Sequence, residues 1–518
     1  MIDIQEIEVI NPKNKEKLYS IQESSEDQIN QAFKQGAEVQ KKIASLTVEQ
    51  RVKEVDKLAA YILKNKESIM ERLIQETGKT KFDALSTEIF EVLNGINYFR
   101  KAAPKMLKAQ KKHTPLMLMG KKSWVEYQPL GTVFIIAPWN YPLVQCFTPA
   151  IMAFLAGNAI IFKPSELTPL KGLYEQIIKE SGFMANAIQV LYGTKVTGQK
   201  IIEKRPDKIH FTGSVRGGKE IMKQAAEQLI PVELELGGKD PALVFDDVNI
   251  NKTVHGIIWG AFTNTGQSCT SIERLYVQET IYSEFVKELV DKTNKLTTIE
   301  SSQNGHVEVG YMTSEAQILK IEEQIKDAVS KGATILTGGK RKEGSMFFPA
   351  TLIENVTHDM LLGNEETFGP VLAIMKFKNE EEAIEKANDS IYGLSASVWS
   401  KDLNRAKRVA SKLVTGNVSI NNHMLTEGNP ALPFGGIKNS GIGRSKGVEG
   451  LHSFTNIKSL ISSGQNKTIE PHWYRHTEEK YNLMTSVIDA YYSNPKKWLA
   501  FLPKALKMDS FGNKNKID

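Results

Sequence analysis

An alternation limits the fold of this chain more than any other feature. Short apolar runs rich in β-branched residues recur with helix-like stretches between them. The clearest is residues 131–137, GTVFIIA, which ends at Pro138. A run with no polar side suits a strand buried on both faces, as in a parallel sheet. A helix-like stretch near 143–156 follows and stops at Gly157-Asn158, a good helix-ending signal. Further runs lie at 159–162, 188–192, 209–211, 232–236 and 242–245. Strand, helix, strand in that order predicts an α/β protein with a parallel sheet. Past 250 the pattern returns less regularly, with strand-like runs at 347–353, 371–374 and 418–420. A second α/β domain is expected there, with the boundary near Leu236-Gly237-Gly238, where a glycine pair can form a hinge. The first hundred residues read as a short extended entry followed by helices, with Leu58, Ala59, Ile62 and Leu63 at helical spacing.

The bulk properties remove several function classes. A chain of 518 residues exceeds what one core can serve, since cores stop growing near about 250–300 residues. The net charge of +6 is small for this length and gives no case for nucleic-acid binding. Two cysteines, Cys146 and Cys269, cannot build a disulfide framework, so a reducing, cytoplasmic setting is expected. The N-terminus lacks the basic start and apolar core of a signal peptide, and no apolar run reaches the ~18 residues of a spanning helix. The tail from about 465 differs in character. It mixes Trp473, Tyr474, Tyr491, Tyr492, Trp498 and Phe501 with Lys496, Lys497, Lys504 and Lys507.

Several turns sit where a parallel sheet places its ligands, at the carboxyl ends of strands. Asn140, in Pro138-Trp139-Asn140, offers amide N–H groups to a developing oxyanion, or is a turn asparagine between prolines. Lys163-Pro164-Ser165-Glu166 follows a strand, where a lysine and a carboxylate can hold ribose hydroxyls, or it starts a helix. A carboxylate repels a 2′-phosphate, so Glu166 points to NAD over NADP. Phe211-Thr212-Gly213-Ser214, with Gly217 and Gly218 beyond, runs from strand to helix and suits a pyrophosphate, although it is not the usual GxGxxG. Strand alternation puts Glu233 and Glu235 on one side, where a buried carboxylate acts as a base and an exposed pair is merely solvated. Cys269, in Gly266-Gln267-Ser268-Cys269, is a nucleophile only with a lowered pKa or a nearby base; otherwise it is a small buried hydrophobe. Cys146 lies in an apolar stretch and reads as packing. Glu366-Thr367-Phe368 and Pro433-Phe434-Gly435-Gly436 are turns that can line a pocket.

Together these segments resemble the NAD(P)-dependent aldehyde dehydrogenase superfamily, in the branch that handles long-chain and aromatic aldehydes. Six motifs stand in the family order between about residues 5 and 465, and the 34-residue interval from Glu235 to Cys269 also looks like the family's. The resemblance implies two Rossmann-like parallel-sheet domains and a small oligomerisation element. On that basis residues 1–110 and 130–236 form the NAD-binding domain and 237–437 the catalytic domain. Residues 111–129 and 438–465 form the oligomerisation element of a homodimer or homotetramer, and 466–518 are a C-terminal extension. The resemblance makes Cys269 the nucleophile, Asn140 the oxyanion donor and Glu235 the base for water. It assigns Trp139, Lys163, Ser165, Glu166, Gly213, Ser214 and Gly218 to the cofactor, with Leu236, Gly237, Glu366 and Phe368. The implied site is metal-free.

The same carry-over places Tyr141, Val144, Thr148, Ser268, Thr270 and Phe434 along the aldehyde tunnel. None is charged, so an open apolar tunnel and a fatty or isoprenoid (carotenoid) aldehyde are expected, and an aldehyde ending in a carboxylate is disfavoured. Alternatives are a small or betaine-type aldehyde, a CoA-acylating enzyme and, in another class, a non-catalytic NAD-binding structural protein. The aromatic and lysine-rich tail reads either as packing on a sister subunit or as a peripheral membrane contact.

Overall fold

The computed structural model describes residues 6–118, 120–299, 306–465, 469–492 and 500–514. Trp498, Lys496 and Lys497 of the tail lie outside the described residues. The chain divides into two units, one of residues 1–107 and 127–456 and one of 108–126 and 457–518.

The first unit holds two large, mainly parallel sheets and one small hairpin sheet among the described residues. The six-stranded sheet has the order Gly441–Ile442, Val232–Glu235, Lys208–Thr212, Thr132–Ile136, Ala159–Lys163, Ile188–Val190. Its strands are parallel except the Gly441–Ile442 edge, which pairs antiparallel with Val232–Glu235. Every residue of Thr132–Ile136 and Ala159–Lys163 is buried, as the apolar runs required. The chain begins at Thr132–Ile136, builds outward to Ile188–Val190, and then returns to the other side of the first strand. That reversal opens a crevice beyond the carboxyl ends of Thr132–Ile136 and Lys208–Thr212.

Residues 236–239 lead to the seven-stranded sheet, ordered Thr334–Thr337, Thr351–Glu354, Val371–Phe377, Ile272–Gln278, Asp240–Val244, Ser395–Trp399, Asn417–Ile420. It is parallel except for its first edge strand. Sequence patterning gave no sign of Ile272–Gln278 or Ser395–Trp399. It also overextended the run at 347–353, of which only Thr351–Glu354 is a strand: Pro349 has no N–H to give a ladder.

The expected extended entry is an antiparallel hairpin, Ile7–Ile10 with Lys17–Ile21. The helices after it are closed by capping boxes, Ser25 with Gln28 and Thr47 with Gln50. The helix Val144–Leu155 buries Cys146 in the core of this unit, consistent with packing.

The second unit contains most of a three-stranded sheet, ordered Thr455–Ser462, Lys122–Pro129, Gln110–Lys112, and the helices Glu478–Tyr492 and Phe501–Lys514. The helices share a small core of Val487, Ala490, Phe501 and Met508. Pro503 sits in the first turn of the last helix, where its missing N–H costs nothing. Among the described residues no helix is long and apolar enough to cross a membrane.

Candidate active site

The crevice at the strand reversal is a cleft of about 760 Å³ within the first unit. Asn140, Glu235 and Cys269 all line it. So do Trp139, Lys163, Ser165, Glu166, Gly213 and Ser214 from the six-stranded sheet, and Leu236, Gly237, Glu366 and Phe368 from the connection and the second sheet. Gly218 does not. Its bare α-carbon faces Leu236, where a Cβ would come within 2.6 Å of Cδ2. Gly217 lines the cleft in its place.

Asn140 follows the first central strand and is fixed from both ends. Its amide donates to the Gln267 carbonyl (3.0 Å), and its own carbonyl accepts from Lys79 Nζ (2.9 Å) and Asn264 Nδ2 (3.3 Å). Lys79 is fully buried and ion-paired with Glu88 at 2.7 Å. The other Glu88 oxygen takes the N–H groups of Leu143 and Val144 at the start of the next helix. A buried pair thus ties the Asn140 turn to the helix behind it.

Cys269 is carried on a turn in which Asn264, Thr265 and Gly266 have φ of 50°, 59° and 67°. Gly266 is pressed against the 366–370 turn, since a Cβ there would lie 2.2 Å from the Gly369 carbonyl oxygen. Glu273 orders that second turn. Its oxygens accept from Lys239 Nζ (2.7 Å), Thr367 N (2.7 Å) and Phe368 N (2.8 Å), holding Phe368 in a left-handed conformation. Gly238 N donates to Glu366 Oε1 at 3.0 Å, and Trp139 and Phe368 meet edge to face at 5.2 Å.

Glu233 and Glu235 share a side of their strand and both are buried, so the solvated-pair alternative fails. Burial would push Glu233 up, but Lys208 (2.7 Å) and His210 override it and hold its carboxyl at about 2. Glu235 has no ion-paired cation among the described residues, and Arg444 opposes its shift only weakly. Burial first, and the charge of Glu233 second, push its carboxyl well above the usual range. The Ser445 N–H and hydroxyl beside it are given to the Phe434 carbonyl, and neither Glu235 oxygen has a hydrogen-bond partner. Burial likewise pushes the Cys269 thiol up, with Glu427, Asp240, Glu235 and Glu366 adding to the effect. Glu366 is raised to about 7 by burial and by the charge of Glu273. No histidine serves the thiol: His423 meets the Thr270 carbonyl, and burial lowers its ring to about 4. Burial thus favours the protonated form of both the Cys269 thiol and the Glu235 carboxyl.

Where the Ala159–Lys163 strand ends at the cleft, burial lowers the Lys163 ammonium while Glu166, 3.7 Å away, opposes. Residues 166–168 form a bend and 164–165 no regular element, so Ser165 and Glu166 are not a helix start. Ser214 caps the helix Val215–Glu227 through Gly217 N (3.1 Å), which aims that N-terminus at the cleft.

None of the six residues expected to line an aldehyde tunnel borders this cleft. Two of them flank Cys269 and a third lies beside it. Ser268 Oγ lies 3.3 Å from Thr270 Oγ1, Thr270 donates to Glu427 Oε2 at 2.6 Å, and the buried Tyr141 hydroxyl is influenced by Ser268. Val144 and Thr148 are half-buried and four residues apart on one helix, and Phe434 is buried in a bridge with Ser445. Glu427 adds a carboxylate beside these uncharged residues; it stands 157 residues from Thr270 in sequence and leaves no local signal. Lys79, Glu88 and Glu273 escaped the sequence reading for the same reason.

Cys269, Asn140 and Glu235 share one cleft of about 760 Å³. A model of the aldehyde dehydrogenase family matches residues 2–460. The chain belongs to the aldehyde dehydrogenase family. It is similar to the 4,4'-diapolycopene aldehyde oxidase of Methylomonas sp, with 38% identity over 449 residues, 86% of this chain and 84% of that protein. It is 35% identical to the chloroplastic betaine aldehyde dehydrogenase of Beta vulgaris, over 90% of this chain and 95% of that one. The NAD+ complex of betaine aldehyde dehydrogenase from Staphylococcus aureus superposes with a TM-score of 0.83 at 33% identity, covering 91% and 94% of the two chains. As an aldehyde dehydrogenase, the protein is an NAD(P)-using oxidoreductase that acts on aldehydes.

Proposed function

We propose that this aldehyde dehydrogenase uses NAD to oxidise an apolar aldehyde, fatty or isoprenoid (carotenoid included), to its carboxylic acid. The observation that carries the chemistry is the meeting of Cys269, Asn140 and Glu235 in one cleft.

The cleft fits a dinucleotide. Besides its volume it offers a capped helix N-terminus at Ser214 and a buried, unpartnered hydroxyl on Thr212. Lys163, Ser165 and Glu166 would hold the adenosine ribose, Gly213 and Ser214 the pyrophosphate, and Trp139, Leu236, Gly237, Glu366 and Phe368 the nicotinamide half. When bound, the cofactor supplies the two-electron oxidant.

Cys269 Sγ, once deprotonated, adds to the aldehyde carbon, and the carbonyl π pair moves to oxygen. An amide has two N–H bonds; Asn140 gives one to Gln267 O, and the other, with the Cys269 N–H, stabilises the oxyanion. Oxidation leaves a thioester on Cys269. Glu235 then takes a proton from water, the hydroxide attacks, and the C–S bond breaks to free the acid.

The apolar substrate is supported by the similarity to a diapolycopene aldehyde oxidase and by the apolar side chains of Val144 and Phe434. Glu427 favours a second reading, a cationic aldehyde of the betaine type. Exposed Ile457 and Ile461 on the outer strand of the three-stranded sheet support 111–129 with 438–465 as the contact between copies in a homodimer or homotetramer. Residues 1–110 and 130–236 serve the cofactor in this reading, and 237–437 the chemistry.

NADH formation across acetaldehyde, betaine aldehyde, long-chain and polyene aldehydes tests the reading. The expected kcat/KM is highest for the long-chain or polyene members. Equal values for acetaldehyde and a long-chain aldehyde overturn the substrate class, and release of an acyl-CoA overturns hydrolysis. Cys269→Ala abolishes NADH formation, and Cys146→Ala retains it. The reverse outcome removes Cys269 as the nucleophile.

A further inference from the structure

The geometry points to Glu427 as a charge filter beside the nucleophile, one that excludes aldehydes carrying an anionic group near the reacting carbon. The inference rests on Cys269 being the nucleophile.

Glu427 reaches the site by a hydrogen-bonded route. Thr270, the residue after Cys269, donates to Glu427 Oε2 at 2.6 Å, and Ser268 Oγ lies 3.3 Å from Thr270 Oγ1. Polar side chains thus flank Cys269 on both sides in sequence, and their chain ends on a carboxylate. Lys446 gives its ammonium to the Glu427 main-chain carbonyl, not to its carboxylate, and lies 5.9 Å from the Phe434 ring. Among the described residues no lysine, arginine or histidine comes within ion-pair distance of the Glu427 carboxylate. A second acid adjoins it: a Cβ on Gly428 would lie 3.8 Å from Glu91 Oε1. Burial raises Glu91 to about 7, with Lys446 opposing and Glu427 adding.

Cations line the cofactor side of the cleft, Lys163, Lys195, Arg216 and Lys320, but the groups that act most strongly on the thiol are acids. Asp240, Glu235 and Glu366 are carboxyls from three further elements, and His423 is held neutral. Lys79 lies 4.8 Å from the Tyr141 ring but is spent on Glu88, and Asp83 adds another acid near Tyr141. A neutral aldehyde meets no penalty here, whereas one ending in a carboxylate brings like charge into a low-dielectric site.

Alkylation of Cys269 by two nearly isosteric reagents, neutral iodoacetamide and anionic iodoacetate, reads the filter without turnover. Peptide mass mapping separates Cys269 from the buried Cys146. At pH 8 the ratio of iodoacetamide to iodoacetate rates at Cys269 is expected to exceed that of the urea-unfolded chain by about 10-fold or more. Glu427→Gln keeps an acceptor for Thr270 and lowers the ratio severalfold. It also raises kcat/KM for succinic semialdehyde relative to a neutral aldehyde of equal length. Thr270→Val keeps the carboxylate, loses the hydrogen bond and keeps the high ratio. A ratio unchanged by Glu427→Gln overturns the proposal, as does a native ratio equal to the unfolded one. Failure of the catalytic reading shows separately, as NADH formation by Cys269→Ala.

Discussion

Gly238 and Cys269 touch through their backbones. A Cβ added to Gly238 would lie 2.6 Å from the Cys269 carbonyl oxygen, a distance no relaxed side chain tolerates. The same glycine gives its N–H to Glu366. The turn that leaves Glu235 is therefore the surface against which Cys269 and the 366–368 turn are both set. Gly238→Ala must push the Cys269 backbone, and an error near 1 Å at a reacting atom costs about 100-fold in rate. The expected outcome is kcat down by about 100-fold with an unchanged circular dichroism spectrum. Activity near wild type would mean the contact does not position the thiol.

Glu235 and Cys269 are both pushed up by burial, so the chemistry should quicken as pH rises. The sign follows from the roles: each group works only after losing its proton, and a raised pKa moves that loss upward. Single-turnover NADH formation, which needs the thiolate, and steady-state turnover, which also needs the base, should both climb from pH 6 through pH 9. Glu235→Gln separates them. It retains a burst of about one NADH per active site, then slows about 10²–10⁴-fold as thioester accumulates. Equal slowing of burst and steady state would remove Glu235 from the water step.

The first sheet was legible because its strands are buried on both faces, which forces residues 131–137 and 159–162 to be apolar throughout. Ile272–Gln278 hid because it buries Glu273 and Arg274. Glu273 pairs with Lys239, and Arg274 is consumed by the Lys239, Lys386 and Ala387 carbonyls, so a core strand reads as polar. Residues joined to a strand end by a few positions, Asn140, Ser214 and Glu235, were also legible. Lys79, Glu273 and Glu427 act on the site across 61, 94 and 157 residues, and no window along the chain brings them together.

Lys79 and Glu88 make a further test of position. Lys79→Met leaves a buried carboxylate without its cation, a loss of about 3–5 kcal/mol in comparable pairs. It also frees the Asn140 carbonyl from the ammonium. Urea unfolding should show the destabilisation, and kcat should fall. Adding Glu88→Gln removes the stranded charge and should recover part of the stability. The rate should stay low, because Asn140 is still unheld. If kcat recovers with stability, Lys79 acts on the fold alone and not on the oxyanion donor.

Glu166 is expected to set the cofactor preference. Its carboxylate is about two-fifths exposed, at 40%, and sits 3.7 Å from a Lys163 ammonium that is itself buried and bonded to the Pro164 carbonyl. A 2′-phosphate on the ribose would bring about two negative charges against that carboxylate, while a 2′-hydroxyl can donate to it. Lys163 does not cancel the effect, since burial already weakens its hold on a proton. The wild-type enzyme should therefore show a higher kcat/KM with NAD than with NADP. Glu166→Gln removes the charge at constant size and should shift the ratio toward NADP by about 10-fold, most of it in KM. A wild-type preference for NADP, or a ratio untouched by the substitution, would place the discriminating charge elsewhere along the cleft, with Lys195 and Arg216 as the cations already lining it.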